Sequence, residues 1–439
     1  MNQNNDFSPN MDTGSNSIRL CQQFGTYGNS NSDDRICIVP TIWSTTMLLQ
    51  NGRVIAWGDS DIRNIPSRIA TLQDIVSLTS TSSAVAALRA NRTVVAWGDR
   101  NNGGDTPSAI EQLQDIVSLS STSSAFAALR ANRSVAAWGD QNAGGKLPEE
   151  IAKLQDIVSL SSTYSAFAAL RADGSVVAWG DPSVGGLIPP EITALKDIVS
   201  LKTASYYAFI ALRANRSVVV WGGGHSIPAE IAKCQNIVSL STTNGAFAAL
   251  RADRSVVAWG NENAGGQVPP EIAKLQDITS LSSTSSAFAA LRADRSVVVW
   301  GDPNCGGLIP SNIAALKDIV SLHPSTSPDA LRDSFTALRA DRSVVSWGNI
   351  SVPSNIASLK DIISLSPAGS DAFAALRANG SVVAWGSRSL NVQVPPGIAR
   401  LNDIVSLSST ARSFAVLRAN GQRLAWDVDS HIVHNEYDY

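Results

Sequence analysis

Charge is scarce in this 439-residue chain: Asp, Glu, Lys and Arg together make up 16%, well below the roughly one quarter of ordinary soluble domains. What charge there is nearly cancels, 34 basic against 37 acidic residues for a net of −3. That balance gives no electrostatic reason to expect nucleic acid or an anionic membrane as partner. Long hydrophobic runs are missing too. The longest uninterrupted apolar stretch, residues 206–212, is far short of the ~20 residues of a bilayer span. No basic-then-apolar signal opens the sequence; residues 1–33 form a polar, Asn/Ser-rich leader expected to be disordered. A cytoplasmic location, or export without a cleavable signal, is the corresponding expectation. Cysteines number four, Cys21, Cys37, Cys234 and Cys305, with no CxxC spacing, and are expected to be free thiols of a reducing origin instead of metal ligands. The four histidines, His225, His323, His431 and His434, are scattered and support no Ser/His/Asp order. "GGGHS" at 222–226 lacks the Lys-Ser/Thr of a phosphate loop. No enzyme, cofactor or metal is therefore expected.

What is present is repetition. Every Trp except Trp43 closes the same phrase, at Trp57, Trp97, Trp138, Trp179, Trp221, Trp259, Trp300, Trp347, Trp385 and Trp426. The spacing stays near 40 residues, a period of propeller blades and solenoids. One unit, "DIVSLSSTSSAFAALRANRSVAAWGD" (115–140) followed by "QNAGGKLPEEIAKLQ", contains three β-rich runs: a ("DIVSL"), b ("AFAALRA") and c ("SVAAWG"). Asn-Arg or Asn-Gly between b and c reads as a hairpin turn. "PEEIAKL" fits either one helical turn or a degenerate fourth strand. The runs are apolar nearly throughout, as expected for sheets covered on both faces. The fold class is all-β: a β-propeller-like ring of about ten short three-stranded repeats over residues 34–427, with a short acidic tail at 428–439. Apolar first and last units favour a ring, and an open spiral of the same blades is the alternative.

The succession "VVAWG", Gly-rich loop, Pro, "IVSL" and "AALRADGS" resembles the regulator of chromosome condensation repeat, in a short form similar to the bacterial propeller-type β-lactamase inhibitory protein. The Gly and His that usually precede the "AL" strand are replaced here by Ser/Thr and Ala, as in "SSTSSAFAAL". The resemblance implies a propeller that acts through protein partners, since members serve as exchange factors for the Ran GTPase, as scaffolds or as enzyme inhibitors.

Two arginine series recur. One follows the strand-b Leu and is matched by an Asp about fifteen residues earlier, as in Asp74 with Arg89, Asp115 with Arg130 and Asp403 with Arg418; a hairpin makes these cross-strand pairs worth roughly 0.2–1 kcal/mol each. The other, Arg92, Arg133, Arg216, Arg254, Arg295 and Arg342, stands in the b–c turns where Gly52, Gly174, Gly380 and Gly421 stand in other units. A left-handed Arg costs on the order of 1 kcal/mol, so the turn either differs or is compensated. Departures from the repeat mark the candidate partner-binding residues: Tyr164, Tyr206 and Tyr207 in a–b loops, His225 in a Gly-rich loop, and His323, Pro324 and Arg332 in the enlarged a–b loop 323–334. Exposed Tyr and Arg are common interface anchors. The expected function is non-enzymatic protein binding through one loop face, as scaffold, inhibitor or effector. Carbohydrate binding and nucleotide exchange on a small GTPase are the alternatives.

Overall fold

The computed structural model describes residues 36–58, 61–326, 333–369, 371–387, 390 and 392–435, together with the backbone of a short strand at Cys21–Gln22. The chain is all-β, with ten repeats that each form a three-stranded antiparallel sheet. It divides into two compact bodies, one built on Cys37–Gln235 and one on the chain from Asn236 onward. Each holds five repeats.

The fourth repeat shows the local logic. Strands a (Ile157–Ser162), b (Ala166–Arg171) and c (Val176–Gly180) pair in sequence order. Strand b is apolar on both faces because both are covered. Phe126 and Ala128 of the third repeat pack on Ala84 and Ala86 of the second, whereas Ala125 and Ala127 receive Phe167 and Trp179 of the fourth. A small-residue face thus meets an aromatic face at most junctions within a body, and each buried aromatic contributes roughly 2–3 kcal/mol before entropy. Strand a breaks its own alternation. Its register shifts between Ile157 and Ser159, so the extra residue, Val158, turns outward and is 52% exposed. A β-bulge does this by placing two residues opposite one. The same shift recurs in nine repeats, so part of the apolar "DIVSL" run faces solvent.

The repeated Trp couples one repeat to the one before it. Trp179 stacks on Phe167 of its own sheet, ring centroids 5.3 Å apart, and its indole N–H donates to the Gly144 carbonyl in the preceding Gly-rich loop at 2.9 Å. Trp138 reaches Gly103, Trp221 reaches Gly185, Trp300 reaches Gly265 and Trp347 reaches Gly306 in the same way. Gly144 is left-handed at φ 91°, and a Cβ there would lie 2.6 Å from the Phe167 ring. Only glycine fits that approach. The Gly-Gly loop is replaced before Trp97, Trp259, Trp385 and Trp426: Trp97 donates to the Ile62 carbonyl at 3.2 Å instead, and the other three buried indole nitrogens have no hydrogen-bond partner among the described residues.

After strand c the chain makes a 3₁₀ turn, such as Gln141–Ala143 capped by the Asp140 side chain, and then a four-residue helix opened by proline, Glu149–Ala152 in the third repeat. The Pro-led segment is therefore helical, not a fourth strand. All six b–c turn arginines are left-handed, φ 62–64°. Their cost is offset locally. In the turn at Asn132, the side-chain oxygen accepts from the Ser134 N–H and hydroxyl, and the Arg133 carbonyl accepts from Ile157 N–H of the next repeat at 3.0 Å. The left-handed residue aims its carbonyl at the neighbouring sheet. The expected Asp–Arg pairs form, for example Asp156–Arg171 at 2.9 Å and Asp115–Arg130 at 2.9 Å. They also form in repeats where the pairing was not assigned from sequence, such as Asp318–Arg339 at 2.8 Å.

One expectation about the N-terminal region is corrected. Cys37 is disulfide-bonded, whereas Cys234 and Cys305 are in no disulfide. Cys21–Gln22 pairs in parallel with strand a of the second repeat, Cys21 opposite Leu78. Sequence spacing cannot reveal a pairing that folding brings about.

Replacing Trp179 by Phe keeps most of the apolar burial but strands the Gly144 carbonyl, and should cost about 1–3 kcal/mol. Gly144→Ala, which meets the Phe167 ring and a left-handed backbone, should cost a similar amount. Chemical denaturation of both variants measures the coupling; wild-type stability in both would mean that the indole–carbonyl bond holds nothing together.

Candidate functional site

The a–b loops are more than connections. In "SSTSS" the Thr hydroxyl organises its own turn and ties it to the loop that follows strand c: Thr122 accepts from Ala125 N–H and donates to the Ala143 carbonyl at 3.0 Å. Thr163 makes the equivalent bond to Val184. The a–b loops and the post-c loops therefore share one end of the sheets, and the b–c turns occupy the other. Adjacent loops are linked by main chain as well. In the first body, Ile42 N–H donates to Ser82, Ser82 to Ser123, Ser123 to Tyr164 and Tyr164 to Tyr206, each at 2.7–2.9 Å. Serine hydroxyls add cross-links, such as Ser121 to the Ser80 carbonyl at 2.7 Å and Thr203 to Ser162 at 2.6 Å. The repeated Ser/Thr loop is a hydrogen-bonded seam, which sequence alone did not disclose.

Tyr164, Tyr206 and Tyr207 sit on this seam, in consecutive loops, and the fold brings them together. Ring centroids are 6.5 Å apart for Tyr164–Tyr206, 6.5 Å for Tyr164–Tyr207 and 6.2 Å for Tyr206–Tyr207. The rings are tilted or edge-on, within the range of favourable aromatic pairs. Tyr164 and Tyr207 are 45% and 47% exposed. His225 lies beside them: a Cβ on Gly223 would meet both the Tyr207 Cβ and the His225 ring carbon Cδ2 within 3.0 Å. Partial burial pushes the His225 imidazole below its ordinary pKa, so it is chiefly neutral near pH 7. The result is an aromatic, largely uncharged patch on a backbone-bonded ledge.

The remaining candidates lie in the second body and are placed differently. His323 and Pro324 are in strand a of the eighth repeat, Ile319–Ser325, opposite Thr336 and Phe335. His323 is buried, with Nε2 2.9 Å from the Ser321 hydroxyl, so it is a strand residue instead of part of an exposed loop. Arg332 lies outside the described residues. Just after it, the buried Asp333 carboxylate accepts from the backbone N–H and the hydroxyl of Ser285. It replaces the main-chain carbonyl that performs this task in the shorter loops. Sequence reasoning also missed Trp43, the one Trp outside the repeated phrase, which is 62% exposed in the first a–b loop. Its departure from the series was the available signal. Among the described residues no group of three or more His, Cys, Asp or Glu could hold a metal ion, and no helix is long and apolar enough to cross a membrane.

No protein-family model matches the chain, and no curated protein does. Solved structures do. The CRINKLY WD40 ectodomain of the receptor kinase ACR4 from Arabidopsis thaliana is 18% identical, over 63% of this chain and 99% of that one, with a TM-score of 0.35. Yeast RCC1 is 18% identical, over 64% and 71%, with a TM-score of 0.33. A computationally designed protein, Ika8, is 14% identical, over 75% and 99%, with a TM-score of 0.34. At these values the likeness gives the chain neither a family nor an activity.

Burial holds the folded His323 at a pKa of about 4 against 6.5 for the free side chain. The unfolded chain therefore takes up the proton first. Stability from this group is intact above pH 6.5 and declines as pH falls towards 4, by up to ~3 kcal/mol. His323→Gln should flatten that part of the stability–pH curve. An unchanged slope between pH 6.5 and 4 would show that His323 is not buried neutral.

Proposed function

We propose that this chain is a protein-binding repeat scaffold and that the Tyr164–Tyr206–Tyr207 cluster, flanked by His225, is its principal contact surface. The observation that carries the reading is the convergence of three Tyr rings within 6.5 Å on two adjacent loops, where the second and third repeats carry Ser. Tyr presents a large amphipathic surface at small conformational cost, which suits it to anchor an interface. The seam beneath supports the rings on bonded backbone, limiting the ordering cost of association. The cluster offers apolar faces, phenolic hydroxyls and a mostly neutral imidazole, a chemistry suited to contact.

A partner captured by the immobilised chain and then purified should bind Tyr206→Ala/Tyr207→Ala at least about 30-fold more weakly, or ~2 kcal/mol, by titration calorimetry. Arg92→Gly/Arg133→Gly, at the opposite end of the sheets, should bind it normally. The reverse pattern would move the functional surface to the turn end. Exposed Tyr rings also suit sugar stacking; glycan-array binding lost in Tyr164→Ala, with no protein captured, would replace the protein reading by the carbohydrate one. Accelerated nucleotide release from a small GTPase would specify the partner as that class.

A further inference from the structure

The turn end of the first body carries a cleft of different chemistry. A cleft of about 380 Å³ opens there, lined chiefly by Arg92, Val117, Leu129, Arg130, Arg133 and Val158. It draws on three consecutive repeats: the b–c turn of the second, the sheet of the third and strand a of the fourth. Its floor is aliphatic because the bulge in strand a turns Val158 outward. Its rim is cationic. Arg130 is held by Asp115 at 2.9 Å, but Arg92 and Arg133 are exposed and have no ion pair among the described residues.

The neighbouring turn residues sharpen the contrast. Arg92 and Arg133 follow Asn91 and Asn132, which are neutral and whose side-chain oxygens are engaged by Thr93 and Ser134. In the second body the turn arginines Arg254, Arg295 and Arg342 each follow an Asp, so those turns carry their own counter-charge. In the fourth repeat the turn is Asp173–Gly174 and lacks the Arg altogether. The fifth repeat has the same Asn-Arg turn, Asn215–Arg216, but its neighbour in the fourth repeat is Asp173–Gly174, so within this body two successive Asn-Arg turns occur only at the cleft. Both turns are also fixed in place, since the Arg92 and Arg133 carbonyls accept from Ile116 and Ile157 of the following repeats.

We propose that this cleft receives an extended acidic peptide segment, with an aliphatic side chain on Val117, Leu129 and Val158 and flanking carboxylates on Arg92 and Arg133. Arginine matches a carboxylate in a two-point fork, and an aliphatic side chain gains by covering exposed valine. A simple inorganic anion would engage the guanidinium groups and leave the floor bare. Nucleic acid would meet Asp115 and Asp156, which line the adjacent strand starts, and offers no aliphatic group for the floor. Charge and apolar surface together select the peptide.

The test is fluorescence anisotropy on the full chain with three labelled peptides of equal length: alternating Glu and Leu, alternating Glu and Ser, and alternating Lys and Leu. The Glu/Leu peptide should bind at least tenfold more tightly than either control, with an affinity that falls as salt is added. Arg92→Gly/Arg133→Gly should weaken it at least tenfold. That variant keeps the fold accessible, because Gly52 and Gly174 occupy the equivalent left-handed position at φ 75° and 76°. Val158→Asp should weaken it comparably without altering a turn, and Tyr206→Ala/Tyr207→Ala should leave it unchanged. Equal binding of all three peptides, no binding of the Glu/Leu peptide, or full affinity in both cleft variants would overturn the proposal. So would an effect confined to the Tyr variant.

Discussion

The hydrogen bond from a Trp indole to the Gly carbonyl of the preceding repeat organises much of this structure. It requires a strand-c Trp buried against its own Phe, and a left-handed Gly whose missing Cβ lets that Phe approach. Each requirement places residues in a different repeat, so no sheet completes its own core. The apolar faces, the Ala-rich strand b and the Gly-Gly loop follow from this division of labour. In a stack of this kind, stability belongs to the junctions as much as to the units.

Much of the architecture was legible because it is written ten times. Three β runs per unit, the b–c hairpin and the Asp–Arg pairs could all be read, since periodicity and charge register are local signals. Other features were hidden in the same letters. The outward turn of Val158 could not be read from an unbroken apolar run, because a bulge changes which face a residue takes without changing its type. "PEEIA" is too short for its period to separate helix from strand; Pro148 stands at the N-cap of the short helix it forms. The Ser/Thr loops looked like generic connections because their bonds run between repeats. His323 looked like a loop residue because extra length was credited to the loop, whereas strand a extends through Pro324 to Ser325.

For the candidate site, the useful signal was departure from the repeat. Tyr164, Tyr206, Tyr207 and His225 were all found by that rule, and the fold brings them into one patch. Trp43 satisfied the same rule and was passed over. The turn cleft escaped for the opposite reason: its Arg and Val are repeated residues, and only the succession of two Asn-Arg turns sets its charge apart. The two ends of the sheets thus offer different chemistry, aromatic and nearly neutral at one, aliphatic and cationic at the other.

The Trp–Gly bond also bears on how such a chain can change its length. Its two halves lie in successive repeats, so the unit that must be inherited intact is a junction and not a blade. Loss or duplication of one whole period between equivalent points of the phrase leaves each remaining Trp behind the post-strand-c loop of a preceding repeat. A cut out of phase separates donor from acceptor and exposes an aromatic face beside it. A change in repeat number by whole periods therefore keeps each junction's donor and acceptor in register, whereas a small insertion within a junction does not.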